Sequence, residues 1–452
     1  MLWSSVAAAQ PTQQAQQARC ETTRCVDRED TSVGEALLWL PRAVLRIPRL
    51  ALDASLRLLV LGARVEERYQ IADTVNDLLF NDDRTFGIVP TAFYETGFSP
   101  SIGARVIHRD LLGQREGMEL SALFAGVEQQ RYGAELRSGK RLGSTRLSLS
   151  GGYDRYDNSR FYGLGNADQV DRLGGARPRS AFERSVAVGA RYRSEQARGI
   201  VNVSQQLAQA FSIGATLQLR RRELSTGDEQ RDGKPWVDSV FTAGSLTGLN
   251  DTRTDAYSEL LVAWDDRRIA RRDLPLALPS NGWRLATWAG TQTWLDGANG
   301  TFGRLGGDVQ RFIDLAHGDR VLRLRLRTAW AVGALRTIAF PDLPSLGGSR
   351  LLRGYPSGRF RDRGSLLATV EYRYPVQDNL AAYLFVDAGR VLDTLSDVSP
   401  SALRAARVGF GAGIIAFSIG GLWARAQLAS SIDGGLYLHL LLDATDAQIQ
   451  TI

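Results

Sequence analysis

Residues 345–374 read SLGGSRLLRGYPSGRFRDRGSLLATVEYRY, and Arg353-Gly354-Tyr355 sits at the centre of this basic, glycine-rich stretch. Glu371 follows within the next alternating segment, and Phe385-Val386-Asp387-Ala388-Gly389 comes shortly after. A guanidinium carries five donors in a fixed fork, and two carboxylates are its natural receivers. The chemistry this offers is clamping: a loop held against its own scaffold by charge-assisted hydrogen bonds. Covalent or metal chemistry has no comparable support. No G-x-S-x-G motif occurs. His108, His317 and His439 are scattered, with no nucleophile or ligand cluster nearby. No catalytic residue, metal or cofactor is therefore expected. Cys20 and Cys25, spaced CETTRC, are the two cysteines. In an oxidising compartment a small disulfide loop is favoured over free thiols, and zinc needs more ligands than this neighbourhood has.

For the clamp to form, both acids must face the same way. Successive side chains of a strand point to opposite faces. On that alternation Glu371 shares a face with Arg373, opposite Tyr372, and Asp387 is in phase with Tyr383 and Phe385, opposite Leu384 and Val386. The same pattern recurs elsewhere. Leu322, Leu324 and Leu326 interleave with Arg323, Arg325 and Arg327; Ile213, Ala215, Leu217 and Leu219 interleave with Ser212, Gly214, Thr216 and Gln218. Leucine on one face and arginine on the other suits a membrane barrel with lipid outside and an aqueous lumen inside. No run of eighteen uncharged apolar residues occurs, so no transmembrane helix is expected. The pattern predicts an all-β fold: a transmembrane antiparallel β-barrel of about sixteen strands. Long outer loops are expected at 157–179, 223–254 and 336–364. Short inner turns are expected near Gly97–Pro100 and at Asp378. The strand count between two outer loops must be even. Residues 182–205 therefore read as one long strand, with a bulge near Glu195–Arg198.

The chain has 452 residues and a formal charge of +6, and all its basic residues are arginine except Lys140 and Lys234. Such a charge alone would suit anionic lipid or nucleic acid. Arginines alternating with apolar residues are better read as a lumen wall, so no nucleic-acid partner is expected. Residues 1–33 read as the remnant of a signal peptide, around Val6-Ala7-Ala8-Ala9-Gln10, and a disordered Gln-rich segment. Residues 34–83 read as an amphipathic N-terminal helical segment preceding the barrel. Arg42, Arg46, Arg49 and Arg57 form one stripe and leucines the opposite one, which suits a helix lying in a membrane interface. A second short helix is expected at 65–80. The barrel is expected over 84–443, followed by a polar tail at 444–452.

These motifs converge on a resemblance to the BamA/TamA family of outer-membrane assembly barrels, related to two-partner secretion translocators. LLRGYPSGRF resembles that family's sixth outer loop, which folds into the lumen, and EYRYP and FVDAG resemble segments of its twelfth and thirteenth strands. Arg160-Phe161-Tyr162-Gly163-Leu164-Gly165-Asn166 resembles a third-outer-loop motif, with Phe161, Gly163 and Gly165 at its key positions. Asp265-Asp266-Arg267-Arg268 and Pro279-Ser280-Asn281-Gly282 resemble an inner turn, with Arg where a second Asp is usual. The resemblance implies a Gram-negative outer membrane and a clamp of Arg353, Gly354, Tyr355, Glu371 and Asp387. It is to members without N-terminal polypeptide-transport-associated domains.

The function it implies is protein insertion or translocation through a seam between first and last strands, placed at Phe86, Val89, Leu436, Leu438 and Leu440. Unpaired strand edges there would template an incoming strand. Expected partners are outer-membrane lipid, unfolded outer-membrane or secreted proteins, and a periplasmic partner docked through the N-terminal helix. A passive pore, a lipid-handling barrel and a membrane anchor for a periplasmic protein remain the alternatives.

Overall fold

The computed structural model describes residues 78–443 apart from 127, 169–178, 228–232, 269–277, 298–299, 317–319, 378–379 and 418–422. The expected N-terminal helix, its arginines, Cys20, Cys25 and the polar tail lie outside the described residues.

Sixteen antiparallel strands close into a barrel. They are β1 Phe86–Glu95, β2 Ser101–His108, β3 Gly117–Ala125, β4 Gln129–Arg137, β5 Thr145–Phe161, β6 Ala190–Gln206, β7 Phe211–Ser225 and β8 Asp251–Asp265. The circuit continues with β9 Gly282–Trp294, β10 Thr301–Asp314, β11 Val321–Val332, β12 Gly364–Gln377, β13 Leu380–Leu392, β14 Arg407–Phe417, β15 Trp423–Ser431 and β16 Leu436–Asp443. Each pairs with its sequence neighbours, and β16 returns to β1. No described helix is long and apolar enough to cross a membrane; the crossing elements are strands.

The alternation decides what each face meets. Leu217, Leu260 and Leu326 are 60%, 69% and 51% exposed on the outer face, an apolar girdle that water would not tolerate and lipid does. The opposite residues fill the lumen with ion pairs. Arg327 reaches Asp308 at 3.0 Å, and Asp154 takes Arg131 at 2.9 Å and Arg198 at 3.1 Å. Paired in this way, inward charges avoid the cost of desolvation without a partner.

Three details differ from the sequence reading. The turn at 96–100 lies at the same end as the long loops, because every connection leaving an odd-numbered strand emerges there. Length alone misplaced it. The strand expected at 182–205 runs over 190–206, with 182–189 left in the third loop, and the register slips on its neighbour, between Tyr156 and Ser159 of β5, not at Glu195–Arg198. The third loop starts at 162, since β5 runs on through Asp157 to Phe161. Of the second helix, only residues 78–80 are described. Phe80 bridges to Gly87 and packs with Val89 and Ile107.

Candidate functional site

The connection between β11 and β12, residues 333–363, is the sixth at its end of the barrel. Inside it Ser345–Leu346 pairs with Phe360–Arg361, which makes the intervening segment a hairpin. Leu346, Leu352, Tyr355 and Phe360 of this hairpin pack with Leu367 and Val391 of the wall. Arg353 therefore reaches the inner faces of β12 and β13. Its backbone N–H and Nε donate to Asp387 Oδ2 at 2.9 and 2.8 Å, Nη2 donates to Asp387 Oδ1 at 2.9 Å, and Nη1 donates to Glu371 Oε2 at 3.0 Å. Thr369 Oγ1 donates to Asp387 at 2.8 Å, and the guanidinium lies 3.5 Å from the Phe385 ring centroid. Burial opposes the charge on Arg353. Asp387 and Glu371 outweigh it and raise its pKa above the ordinary arginine value.

Two glycines make room for this approach. A Cβ on Gly409 would lie 1.7 Å from the Arg353 carbonyl oxygen, and one on Gly354 would lie 2.1 Å from the Ser430 carbonyl oxygen. Gly354 also has φ +95°, a region that side chains disfavour. Tyr355 Oη donates to Asp433 Oδ2 at 2.9 Å, and burial followed by this bond pushes the phenol up to about 12.

A second anchor of the same loop escaped the sequence reading. Asp342 accepts from Arg222 at 2.8 and 2.7 Å and from Arg220 at 3.0 Å, while Arg220 Nε also donates to Asp255 at 3.0 Å. Arg220 and Arg222 share the inward phase of β7, a legible pattern, but nothing local in the sequence announces Asp342 as their partner. Burial raises the Asp342 carboxyl, and Arg222 and Arg220 overcome that, so it sits below the usual carboxylate range. A depressed carboxyl stabilises fully above its unfolded pKa of about 4 and loses that contribution as pH falls through the lower native value. Asp342→Asn is expected to be less stable than the parent at neutral pH and to lose less on acidification. Urea titrations of the refolded barrel at a series of pH values measure this; equal acid slopes would assign the effect to other carboxylates.

The third-loop residues meet this same loop. Phe161 is fully buried, 4.9 Å from Phe340 and 5.2 Å from Phe241 between ring centroids. Gly163 has φ +82°, and a Cβ there would lie 2.9 Å from the Val186 carbonyl. Gly165 N–H donates to the Arg361 carbonyl at 2.8 Å. Phe161 and Leu164 belong to one apolar cluster with Val237, Val240, Ile338 and Leu343, which packs the loops against the ends of the wall strands at Tyr192, Leu224, Phe302 and Ala331.

The seam is narrower than expected. β1 and β16 pair only through Ala92↔Leu442, Phe93↔Leu441, Tyr94↔Leu440 and Glu95↔His439. Thr96 N–H adds a bond to the Leu438 carbonyl at 3.1 Å. Leu440 and Leu438 thus belong to the seam. Phe86 and Val89 lie on the part of β1 beyond these pairs, Phe86 facing outward and Val89 packed inward on Phe80, and Leu436 pairs with Ser430 of β15. Between loop and wall, beside β1, a cavity of about 810 Å³ is lined by Arg105, Glu119, Arg131, Arg198 and Arg350. Among the described residues no group of three or more His, Cys, Asp or Glu is placed to hold a metal.

No curated protein matches the chain in sequence. A BamA from Haemophilus ducreyi lacking POTRA domains 1–3 is similar in structure, with a TM-score of 0.53, 16% identity, 79% of this chain covered and 70% of that one. CdiB from Acinetobacter baumannii gives a TM-score of 0.48 at 11% identity, over 79% of this chain and 59% of that one. CdiB from Escherichia coli gives 0.49 at 11%, over 78% and 62%. The family model described as the Omp85 superfamily domain matches residues 111–418. The chain belongs to the Omp85 superfamily and is an outer-membrane β-barrel.

Proposed function

We propose that this barrel inserts or translocates unfolded outer-membrane or secreted proteins, admitting a substrate strand at the β1–β16 seam. The observation that carries the reading is the shortness of that junction. It has four register pairs, whereas β2 and β3, the next shortest junction, share seven. Among the described residues, Ile88 to Thr91 of β1 have no ladder partner on the seam side, while Asn81 and Phe80 hold Phe86 and Gly87. Such an edge presents free N–H and C=O groups that an extended chain can pair with. Arg353 serves this function as a clamp that fixes the sixth loop in the lumen and keeps the wall in register. The H. ducreyi BamA likeness supports the fold alone; family membership and the short seam support the activity.

Liposomes carrying the protein are expected to speed insertion of an unfolded outer-membrane barrel, and Arg353→Ala is expected to lose much of that gain. The charged cavity beside β1 favours one rival, a passive pore. Ion conductance without accelerated insertion would establish the pore and remove the insertase reading.

A further inference from the structure

Glu95 and His439 are the last register pair of the seam, and both side chains point inward. They are 5% and 3% exposed. His439 Nε2 faces Glu95 Oε1 at 3.9 Å, about 1 Å beyond a hydrogen bond. Neither atom has a hydrogen-bond partner, although both are buried. Two facing buried polar atoms left short of a bond are costly, and closing the gap would recover that cost.

The surroundings fix which proton faces the gap. Gln427 of β15 accepts the Tyr383 hydroxyl at 2.8 Å, and its amide nitrogen donates to the Ser349 carbonyl at 2.7 Å. The second amide hydrogen is left for His439 Nδ1 at 3.3 Å. Nδ1 is then the acceptor, and the neutral ring carries its proton on Nε2, aimed at Glu95. On the other side, the Ser357 N–H lies close enough to the Glu95 carboxylate to favour its charged form. Ser349 and Ser357 stand on the two legs of the sixth-loop hairpin. One hairpin therefore holds the histidine side of the seam with one leg and the glutamate side with the other.

We propose that Glu95 and His439 form a latch across the seam, with the sixth loop setting whether Nε2–H and the carboxylate come within bonding distance. The proposal deepens the seam reading above and rests on it. The two are positioning residues: they hold the strand edges and touch no substrate. Ionisation strengthens the latch, because a carboxylate accepts Nε2–H in a charge-assisted bond and the carbonyl oxygen of a protonated Glu95 accepts it more weakly. The charged and titratable groups facing the pair are few. Arg353 of the sixth loop acts on His439 and is already neutralised by Asp387 and Glu371. Tyr162 of the third loop, flanked by Arg160 and Arg359, shares the field of Glu95 and of Tyr437 on β16. β15 contributes Gln427 and, two residues away in the same inward phase, Arg425, which lies over the Tyr383 ring; β2 contributes Ser101, opposite Phe93.

Hydrogen exchange read by mass spectrometry in lipid nanodiscs tests this. Peptides covering 92–96 and 436–442 report the seam, and 202–216 reports the distant β6–β7 junction. Glu95→Leu and His439→Leu are each expected to raise seam exchange about tenfold relative to β6–β7. Glu95→Gln keeps an acceptor without a titrating charge. It is expected to hold part of the protection at neutral pH and to abolish the selective loss of seam protection on acidification. Unchanged seam exchange in Glu95→Leu, or a rise shared by the whole barrel, would overturn the latch. If the leucine variants fail to fold, the wild-type and Glu95→Gln pH series decide alone, and parallel curves sink the proposal. A seam that responds as stated in a protein without insertion activity would leave the latch standing and remove the insertase reading.

Discussion

Arg353→Ala is expected to cost about 3–5 kcal/mol, because it strands two buried carboxylates without their cation. Asp387 is 1% exposed, and it would lose both side-chain bonds from the guanidinium. Glu371 keeps Arg323, whose Nη1 is 3.8 Å away, so it is left less exposed to the loss. The sixth loop should loosen from the β12–β13 wall while the strands stay paired. Heat-modifiable gel migration reads the first effect as a lower transition temperature, and limited proteolysis reads the second as new cleavage between 345 and 361. Arg353→Lys tests the fork itself: a point charge cannot make the bidentate contact, so rescue should be partial. Full heat resistance with an uncleaved loop in Arg353→Ala would discard the clamp.

Gly409→Ala attacks the same contact from the wall. The added methyl would sit 1.7 Å from the Arg353 carbonyl oxygen and 2.9 Å from its carbon, both backbone atoms that no rotamer change can move. The loop must withdraw, and the bonds from Arg353 to Asp387 and Glu371 stretch with it. The expected loss approaches that of Arg353→Ala. The two substitutions should not add, since each removes the same interaction. A double variant that is destabilised by the sum of the single effects would separate them. Gly411→Ala is a useful comparison, because its methyl would meet the Leu428 carbonyl at 2.1 Å rather than the loop. It should destabilise the wall without exposing the loop to protease.

The strands were legible because lipid and lumen impose opposite demands on alternate residues. Leu322 to Arg327 announces its faces without reference to any other segment. The phases of Glu371 and Asp387 followed from the same rule, as did the count of about sixteen. What alternation could not give was anything settled by two distant segments meeting. Asp342 lies in a stretch with no period, and only the folded loop brings it to Arg220 and Arg222. The extent of the seam depends on where β1 and β16 part, and alternation along β1 alone does not show which of its residues pair across it. His439 read as isolated because its partner lies at the opposite end of the chain. The slip in β5 was misassigned for a related reason: a break in register belongs to a pair of strands, and the apolar pattern of one strand does not say which of the two carries the extra residue.

The sixth loop is fastened to two separate stretches of wall, through Asp342 to β7 and through Arg353 to β12 and β13. This makes its departure a question of rates. When one anchor lets go, the other keeps the freed group tethered near its site, at an effective concentration in the millimolar range for a short flexible connection. Rebinding then outpaces escape, and the second anchor multiplies the lifetime of the seated loop by the ratio of rebinding to release rather than adding its own lifetime to it. A partner that clears the lumen needs no strength to break both anchors together. It needs only to occupy one vacated site long enough for the second to open.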